Sequence, residues 1–384
     1  MANDAVAGNA LRVAPAQAGA TDDPVRGVLA AFTKDLIKGV DETLVAFLAA
    51  EVDSLTEIDA AMGAFAATAR DCVLAGGKRV RPTFAYWGWR GAVGGEEPMC
   101  SVLPALSALE LLHTFALVHD DVMDASDTRR GLPTAHRAAA ARHRAAGHAG
   151  DPDRYGEAVA VLIGDLCMVW ADRLMGHAAV PAERLLDVRR CYDQMRVETV
   201  AGQFLDVLGE NDAGNWTVDR ALRVARYKTA SYTVQRPLLF GACLAGTDPD
   251  DPLIAAYTRY GLAVGEAFQL RDDLLGVYGD PETTGKPAGD DLRTGKPTAL
   301  LMLARQLADP AQRRALDRAG SVTTARDVDR LADVVRDTGA TARVERMIAD
   351  RVTEALAALG TAPIDETART ALTGLATAAT ARRA

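Results

Sequence analysis

LVHDDVMD, at residues 117–124, places three carboxylates at the end of an apolar, helix-forming segment. A second acid pair occurs much later in the chain, in QLRDDLLG at residues 269–276. Like charges one turn apart destabilise a helix by roughly 0.2–0.5 kcal/mol per pair, so each cluster requires an offsetting cation. Mg²⁺ is the simplest candidate, because it prefers carboxylate oxygens and readily shares phosphate oxygens. Two facing clusters therefore predict a Mg²⁺ site that holds a diphosphate.

The composition of the 384-residue chain favours one large helical domain, because Ala and Leu dominate the apolar residues and β-branched runs are few. A net charge of −9 argues against a nucleic-acid-binding surface. Five scattered cysteines without a CxxC motif are typical of a reducing compartment. No apolar run reaches the ~18 residues of a membrane span, and the N-terminus lacks a signal-peptide pattern. We expect a cytoplasmic protein without stable membrane insertion.

The order of apolar segments predicts an all-α, single-domain helical bundle. We expect a flexible N-terminal tail at residues 1–25 and the helical domain at residues 26–384. Residues 140–155 read as a polar surface loop with solvated His143 and His148. Apolar periodicity predicts helices at residues 28–50, 54–75, 82–92, 100–127, 156–177, 182–210, 217–246, 251–279, 297–307 and 324–360, with a weaker one at 365–380.

Two basic motifs accompany the acids. In GGKRVRP, residues 76–82, the glycines end one helix and Pro82 opens the next, which places Lys78, Arg79 and Arg81 at a helix N-terminus that favours an anion. In DTRRG, residues 127–131, Arg129 and Arg130 follow the first acid cluster. Adjacent arginines cannot share one helix face, so if both act they bind two different anions. Taken alone, each motif could equally be an ordinary basic surface.

Further cations stand at Lys228-Thr229, Lys286 and Lys296. The Gly-Lys pairs at 285–286 and 295–296 do not form a nucleotide P-loop, because the glycine spacing is wrong and proline replaces the Ser or Thr that binds Mg²⁺. Glu198, Gly202 and Asp206 form a stripe along one helix face, with Gln203 beside them. This stripe is either a ligand-facing surface or a buried polar contact between helices.

In order and spacing, these motifs resemble the trans-isoprenyl diphosphate synthases over roughly residues 28–360, and most closely the bacterial geranylgeranyl diphosphate synthases. The resemblance implies a helical bundle of the isoprenoid synthase type with a central active-site cavity. It assigns metal binding to Asp120, Asp121, Asp124, Asp272 and Asp273. It assigns isopentenyl diphosphate binding to Lys78, Arg81, His113 and Arg130. It assigns allylic diphosphate binding to Arg129, Lys228, Thr229, Gln269, Lys286 and Lys296.

The implied activity is Mg²⁺-dependent, head-to-tail condensation of isopentenyl diphosphate with C5 to C15 allylic diphosphates. Asp120, Asp124, Arg129, Lys228 and Asp272 would be the catalytic residues, with three Mg²⁺ ions per site and a homodimeric assembly. The second motif departs from the family pattern, because Gly276 stands where its last acid is expected. Asp280, two turns beyond Asp272, is a weak substitute.

Product length is predicted from the helix before the first acids. Phe115 lies five residues before Asp120, about 7.5 Å deeper, where it would block the growing tail. Ala116 is small, and this combination is similar to family members that stop at C20. Farnesyl and longer-chain synthases remain the main alternatives. A class I terpene cyclase would not need a second basic cluster, and a non-catalytic partner subunit would not need both acid pairs.

Overall fold

The computed structural model describes residues 24–95, 97–211, 216–280 and 289–380. Its only strands in these ranges are a short hairpin, β1 (Thr128–Arg129) and β2 (Leu132–Pro133). The all-α prediction is confirmed. The helices are α1 (Pro24–Ile58), α2 (Ala60–Leu74), α3 (Val80–Val93), α4 (Leu103–Met123), α5 (Ala135–Ala145), α6 (Pro152–Met175), α7 (Leu185–Asn211), α8 (Val218–Val224), a π-helix (Ala225–Gln235), α9 (Arg236–Ala245), α10 (Pro252–Tyr278), α11 (Asp290–Thr294), α12 (Ala299–Leu307), α13 (Pro310–Leu316), α14 (Ala325–Asp337), α15 (Ala340–Gly360) and α16 (Glu366–Thr380).

Helix α4 runs through the centre of the bundle. Every residue from Ala105 to Leu112 is buried, so the helix is covered on all sides rather than along one stripe. It packs against α6 along its length and against α1 and α3. The central position carries the acids at its C-terminal end into the interior of the fold.

Helices α3 and α9 pack backbone against backbone. A Cβ atom on Gly241 would lie 1.9 Å from the Ala85 carbonyl oxygen, and one on Gly88 would lie 2.1 Å from the Leu238 carbonyl oxygen. Only glycine allows this approach, which fixes α3 against α9. Within the described ranges, no helix combines the length and the apolarity that a bilayer span requires.

The π-helix lies in a narrow channel between α7 and α10. Cβ atoms on Gly202, Gly261 and Gly265 would all come within 2.5 Å of the backbone of this segment. The glycines therefore make room for its wider turn, and the packing holds it in place. Because a π-helix is rare and marks functional sites in many proteins, this segment is a natural carrier of active-site residues.

Several predicted boundaries are wrong. Residues 140–145 belong to α5 rather than to a loop, and His143 is buried against the rings of Tyr155 and His148. The helix predicted at 100–127 ends at Met123, and the one at 324–360 breaks at Gly339, whose φ is +82°. The helix predicted at 217–246 is three consecutive segments. Apart from Pro24 and Val25, where α1 begins, the predicted tail (1–25) lies outside the described residues.

Candidate active site

Asp120 lies near the C-terminal end of α4, where donors from two other helices hold it. Its Oδ1 atom accepts hydrogen bonds from Lys228 Nζ and Gln203 Nε2, each at 2.9 Å. Asp124 caps α4 directly after its last residue, Met123, and its backbone N–H donates to the Asp120 carbonyl oxygen at 2.8 Å. Burial and the Asp120 charge raise the pKa of Asp124. Burial and the neighbouring charge both disfavour the ionised carboxylate, and a bound cation would offset them.

Asp121 turns towards Arg129 instead. Arg129 Nε donates to its two carboxylate oxygens at 2.8 and 2.9 Å, and Arg129 Nη2 donates to Oδ1 at 2.6 Å. The same Nη2 atom lies 3.5 Å from Asp120 Oδ2. Asp121 therefore orients Arg129 beside the cluster. Its metal-binding role stays a prediction, and it competes with this close ion pair.

Arg130 extends to a different place from Arg129. Positive φ angles at Arg130 (+53°) and Gly131 (+76°) turn the chain between β1 and β2. The Arg130 guanidinium donates to the Gly76 carbonyl oxygen. A Cβ on Gly77 would lie 3.4 Å from its Nη2 atom. One arginine thus lies at the first acid cluster and the other at the glycine pair before α3.

Arg81 and His113 carry buried nitrogen atoms that the structure leaves without a hydrogen-bond acceptor or donor. Arg81 Nη2 donates to Thr233 Oγ1 at 3.0 Å, and its guanidinium lies 4.2 Å from the ring centroid of Tyr232. Arg81 Nε and His113 Nδ1 are buried without a partner among the described residues. Burial and the Arg81 charge lower the pKa of His113, so its imidazole is neutral. A buried polar atom without a partner requires an explanation, and a polar ligand bound beside Arg81 and His113 would supply one.

Arg79, by contrast, is turned inward. It stands at the start of α3 with a φ of +48° and donates to Glu110 at 2.7 Å and to Asp41 at 2.9 Å. Its side chain is 5% exposed. Arg79 therefore fixes the loop to the core, and of the three basic residues in this motif only Lys78 and Arg81 remain for a ligand.

Lys228 and Lys296 share one buried carboxylate, that of Asp206 on α7. Lys296 Nζ donates to Asp206 Oδ2 at 2.8 Å, and Lys228 Nζ donates to the same oxygen. Burial acts to raise the pKa of Asp206, but the two lysine charges outweigh it and hold the pKa below its usual range. Asp206 thus places two cations beside Asp120. From the sequence alone, Asp206 is predicted only as part of the polar stripe with Glu198 and Gly202.

The rest of that stripe fixes the π-helix. Glu198 accepts hydrogen bonds from Ser231 Oγ and Arg236 Nε, each at 2.8 Å. A Cβ on Gly202 would lie 2.5 Å from the Lys228 backbone nitrogen. The stripe is therefore a contact between helices, and through Asp206 and Gly202 it also positions Lys228.

The two residues of the second acid pair, Asp272 and Asp273, lie in different surroundings. Asp273 is buried, where it accepts from Gln269 Nε2 at 2.8 Å and from the Ala299 backbone N–H at 3.1 Å, which anchors the start of α12. Burial raises the pKa of Asp273 to about 7. Asp272, half-buried, is the other acid of the pair. The geometry favours Asp272 over Asp273 as a metal ligand, and both roles stay predictions.

The remaining predicted site residues are Lys78, Thr229, Phe115, Ala116 and Lys286. Lys78 is exposed beside the Gly76-Gly77 pair, and Thr229 is half-buried on the π-helix. Phe115 packs edge-to-face on His119, with ring centroids 4.9 Å apart, and Ala116 is half-buried next to it. Lys286 lies outside the described residues.

The donor set fits Mg²⁺. The candidates Asp120, Asp124 and Asp272 offer only hard carboxylate oxygens, without thiolate or imidazole. Over residues 24–95, 97–211, 216–280 and 289–380, no three His, Cys, Asp or Glu side chains converge closely enough to hold a metal ion alone. Mg²⁺ that shares substrate phosphate oxygens needs fewer protein ligands at each ion. The arrangement therefore suits metal that binds together with a diphosphate.

Comparison with known families agrees with this geometry. Residues 64–338 match the family model described as Polyprenyl synthetase. Geranylgeranyl diphosphate synthase of Mycobacterium tuberculosis is 35% identical over 290 residues, which cover 74% of this chain and 75% of that protein. Geranylfarnesyl diphosphate synthase of Aeropyrum pernix is 33% identical over 273 residues, 70% of this chain and 78% of that protein.

Among solved structures, the chain is similar to geranylgeranyl pyrophosphate synthase from Corynebacterium glutamicum, complexed with isoprenyl diphosphate and magnesium. The two share 43% sequence identity with a TM-score of 0.85, and the match covers 90% of this chain and 98% of that one. The similarity thus extends well beyond the region of the motifs.

Proposed function

Because this chain belongs to the polyprenyl synthetase family and is a trans-prenyltransferase, we propose that its principal product is the C20 compound geranylgeranyl diphosphate. Two separate cationic clusters support the use of two diphosphate substrates. Arg129, Lys228 and Lys296 lie at the first acids. In the other cluster Arg81 lies near His113, and Arg130 contributes the second cation.

Each cluster has a separate task in the proposed reaction. When the C–O bond of the allylic diphosphate breaks, negative charge develops on the departing diphosphate, and Arg129, Lys228 and Lys296 stabilise it. The double bond of isopentenyl diphosphate then attacks the allylic cation to form the new C–C bond. The carbocation that results loses a proton from the adjacent carbon to the released diphosphate, which regenerates a double bond. Arg81 and His113 hold isopentenyl diphosphate, and the lowered pKa of His113 makes its imidazole a weak base for that proton.

Asp120, Asp124 and Asp272 are the residues that would hold Mg²⁺, in three ions per site. The bound ions supply further charge neutralisation for the leaving diphosphate. The raised pKa of Asp124 and the oxygen-only donor set support this assignment.

Product analysis tests the activity and the chain length together. The purified protein is incubated with Mg²⁺, isopentenyl diphosphate and a C5, C10 or C15 allylic starter, and the products are identified by mass. We expect C20 diphosphate as the main product from each accepted starter. A cyclised hydrocarbon alone, or no elongation of any starter, would contradict the proposed function.

Phe115 is the proposed floor of the product cavity. Its ring is fixed by the edge-to-face contact with His119, and Ala116 leaves the adjacent position open. Phe115→Ala removes the ring, so we expect products longer than C20 to become a major fraction. Phe65→Ala, the same truncation at a half-buried position on α2, is the control and should leave product length unchanged. An unaltered distribution in the Phe115 variant would exclude Phe115 as the floor.

We also propose a homodimer. The support is a set of large apolar side chains that α6 and α7 leave exposed: Val161, Leu162, Val169, Val197, Val200 and Phe204. Exposed apolar surface on this scale is typical of an interaction face. Light scattering after gel filtration should give twice the chain mass of 40.6 kDa. A monomer mass at micromolar concentration would rule out a stable dimer.

A further inference from the structure

Gly276 leaves the second acid cluster one carboxylate short, and the structure shows what occupies the vacated space. A Cβ atom on Gly276 would lie 2.2 Å from Asp291 Oδ2 and 2.7 Å from Asp291 Cγ. These distances are below the 3.0 Å that real Cβ atoms respect. The Asp291 carboxylate therefore lies where the first side-chain atom of any other residue at position 276 would be.

This position belongs to the second acid cluster. Residues 272 and 276 are one turn apart on α10, so they share a helix face. The charge of Asp291 also acts on Asp273, where it adds to that of Asp272. The Asp291 carboxylate of α11 thus lies beside the face of α10 that carries the second acid pair.

Asp291 is held firmly in this place. Helix α11 is bounded by Gly289 and Gly295, with φ angles of +71° and +70°, and its one buried side chain, Leu292, is 1% exposed. The Asp291 carbonyl oxygen accepts the backbone N–H of Lys296 at 3.0 Å. The short helix therefore presents Asp291 to α10 and, directly after it, Lys296 to Asp206.

We infer that Asp291 supplies the third carboxylate of the second acid cluster and contributes its negative charge to holding Mg²⁺ on that side of the site. The inference rests on the proposed Mg²⁺ site. The missing acid of the motif is then relocated rather than lost, because a carboxylate from α11 enters the space that glycine opens on α10.

Binding of inorganic diphosphate in the presence of Mg²⁺, measured by isothermal titration calorimetry, tests this role apart from turnover. Asp291→Asn keeps the shape and removes the charge, and we expect affinity to fall about tenfold or more, as loss of one close charge implies. Asp290→Asn, the neighbouring acid on α11, is the matched control and should change affinity less than twofold. Thermal unfolding of each variant confirms that it is folded.

A relocation experiment completes the test. Asp291→Ala opens the space beside Gly276, so the double variant Gly276→Asp, Asp291→Ala returns a carboxylate to the α10 position. We expect it to recover most of the affinity that Asp291→Ala loses, whereas Gly276→Asp alone should destabilise the protein by steric and like-charge conflict. Wild-type affinity in Asp291→Asn, or no recovery in the double variant, would overturn the inference. Absence of Mg²⁺-dependent binding by the unmodified protein would instead overturn the metal site itself.

Discussion

Asp120→Asn is expected to lower kcat/KM by about a thousandfold, the upper range for removal of one preorganised electrostatic group. The substitution keeps the side-chain shape but removes the charge that faces Lys228 at 2.9 Å and Arg129 at 3.5 Å. It also removes one of the two carboxylates at the end of α4, those of Asp120 and Asp124, that would hold Mg²⁺. Steady-state kinetics with C15 allylic diphosphate and isopentenyl diphosphate measure the effect.

Asp127→Asn is the matched control for Asp120→Asn. Asp127 lies just beyond α4, and its carboxylate is 79% exposed in a pair with Arg137. Surface ion pairs of this kind contribute about 0–1 kcal/mol, so activity should stay within twofold of wild type. If Asp120→Asn retained more than a tenth of the activity with its fold intact, its charge could not be central to the reaction.

Asp206→Asn should produce the second largest effect, about a hundredfold loss in kcat/KM. The single carboxylate holds both Lys228 and Lys296, so its neutralisation releases two cations from their positions at once. We expect KM for the allylic diphosphate to rise while KM for isopentenyl diphosphate changes little, because Arg81 is held separately by Thr233. The loss in unfolding free energy should be about 1.5–3 kcal/mol, the range for hydrogen bonds to charged groups.

Asp193→Asn provides the control on the same helix. Its carboxylate, 44% exposed, pairs with Arg189 and Arg196 away from the acids of α4. Both KM values should remain near wild type in this variant. Asp206→Glu, which restores the charge, should recover part of the allylic KM. An equal rise of both KM values in Asp206→Asn would indicate a general structural defect rather than the positioning of the two lysines.

The first acid cluster could be predicted because its evidence is local. Apolar periodicity places the residues before Asp120 on a helix, and the spacing of the acids then follows from helix geometry. The role of Asp206 could not be predicted in the same way, because its partners Lys228 and Lys296 lie far away in sequence. Only the packing of the folded chain brings these three charges together.

Some of the wrong helix predictions have a cause that can be identified in the sequence. Helix α5 is rich in Ala, the strongest helix former, but its Arg and His residues suggested a loop. Helix α13 begins with a capping box between Asp309 and Gln312, with Pro310 at its first turn, but apolar periodicity alone does not predict this short helix. The π-helix is a different case. Its apolar pattern is indistinguishable from that of an α-helix, and the glycines that accommodate it lie on other helices.

The confinement of the π-helix has a consequence for the geometry of bond formation. At one end it carries Lys228, which lies at the acid cluster, and at the other Thr233, which binds Arg81. Glycines on both neighbouring helices let those helices pack directly against the backbone of this segment. In the proposed reaction, the backbone of this segment would therefore set the separation between the two diphosphate-binding groups. Under the same proposal, allylic substrates of different length would differ only in how far their tails extend from a single reaction point.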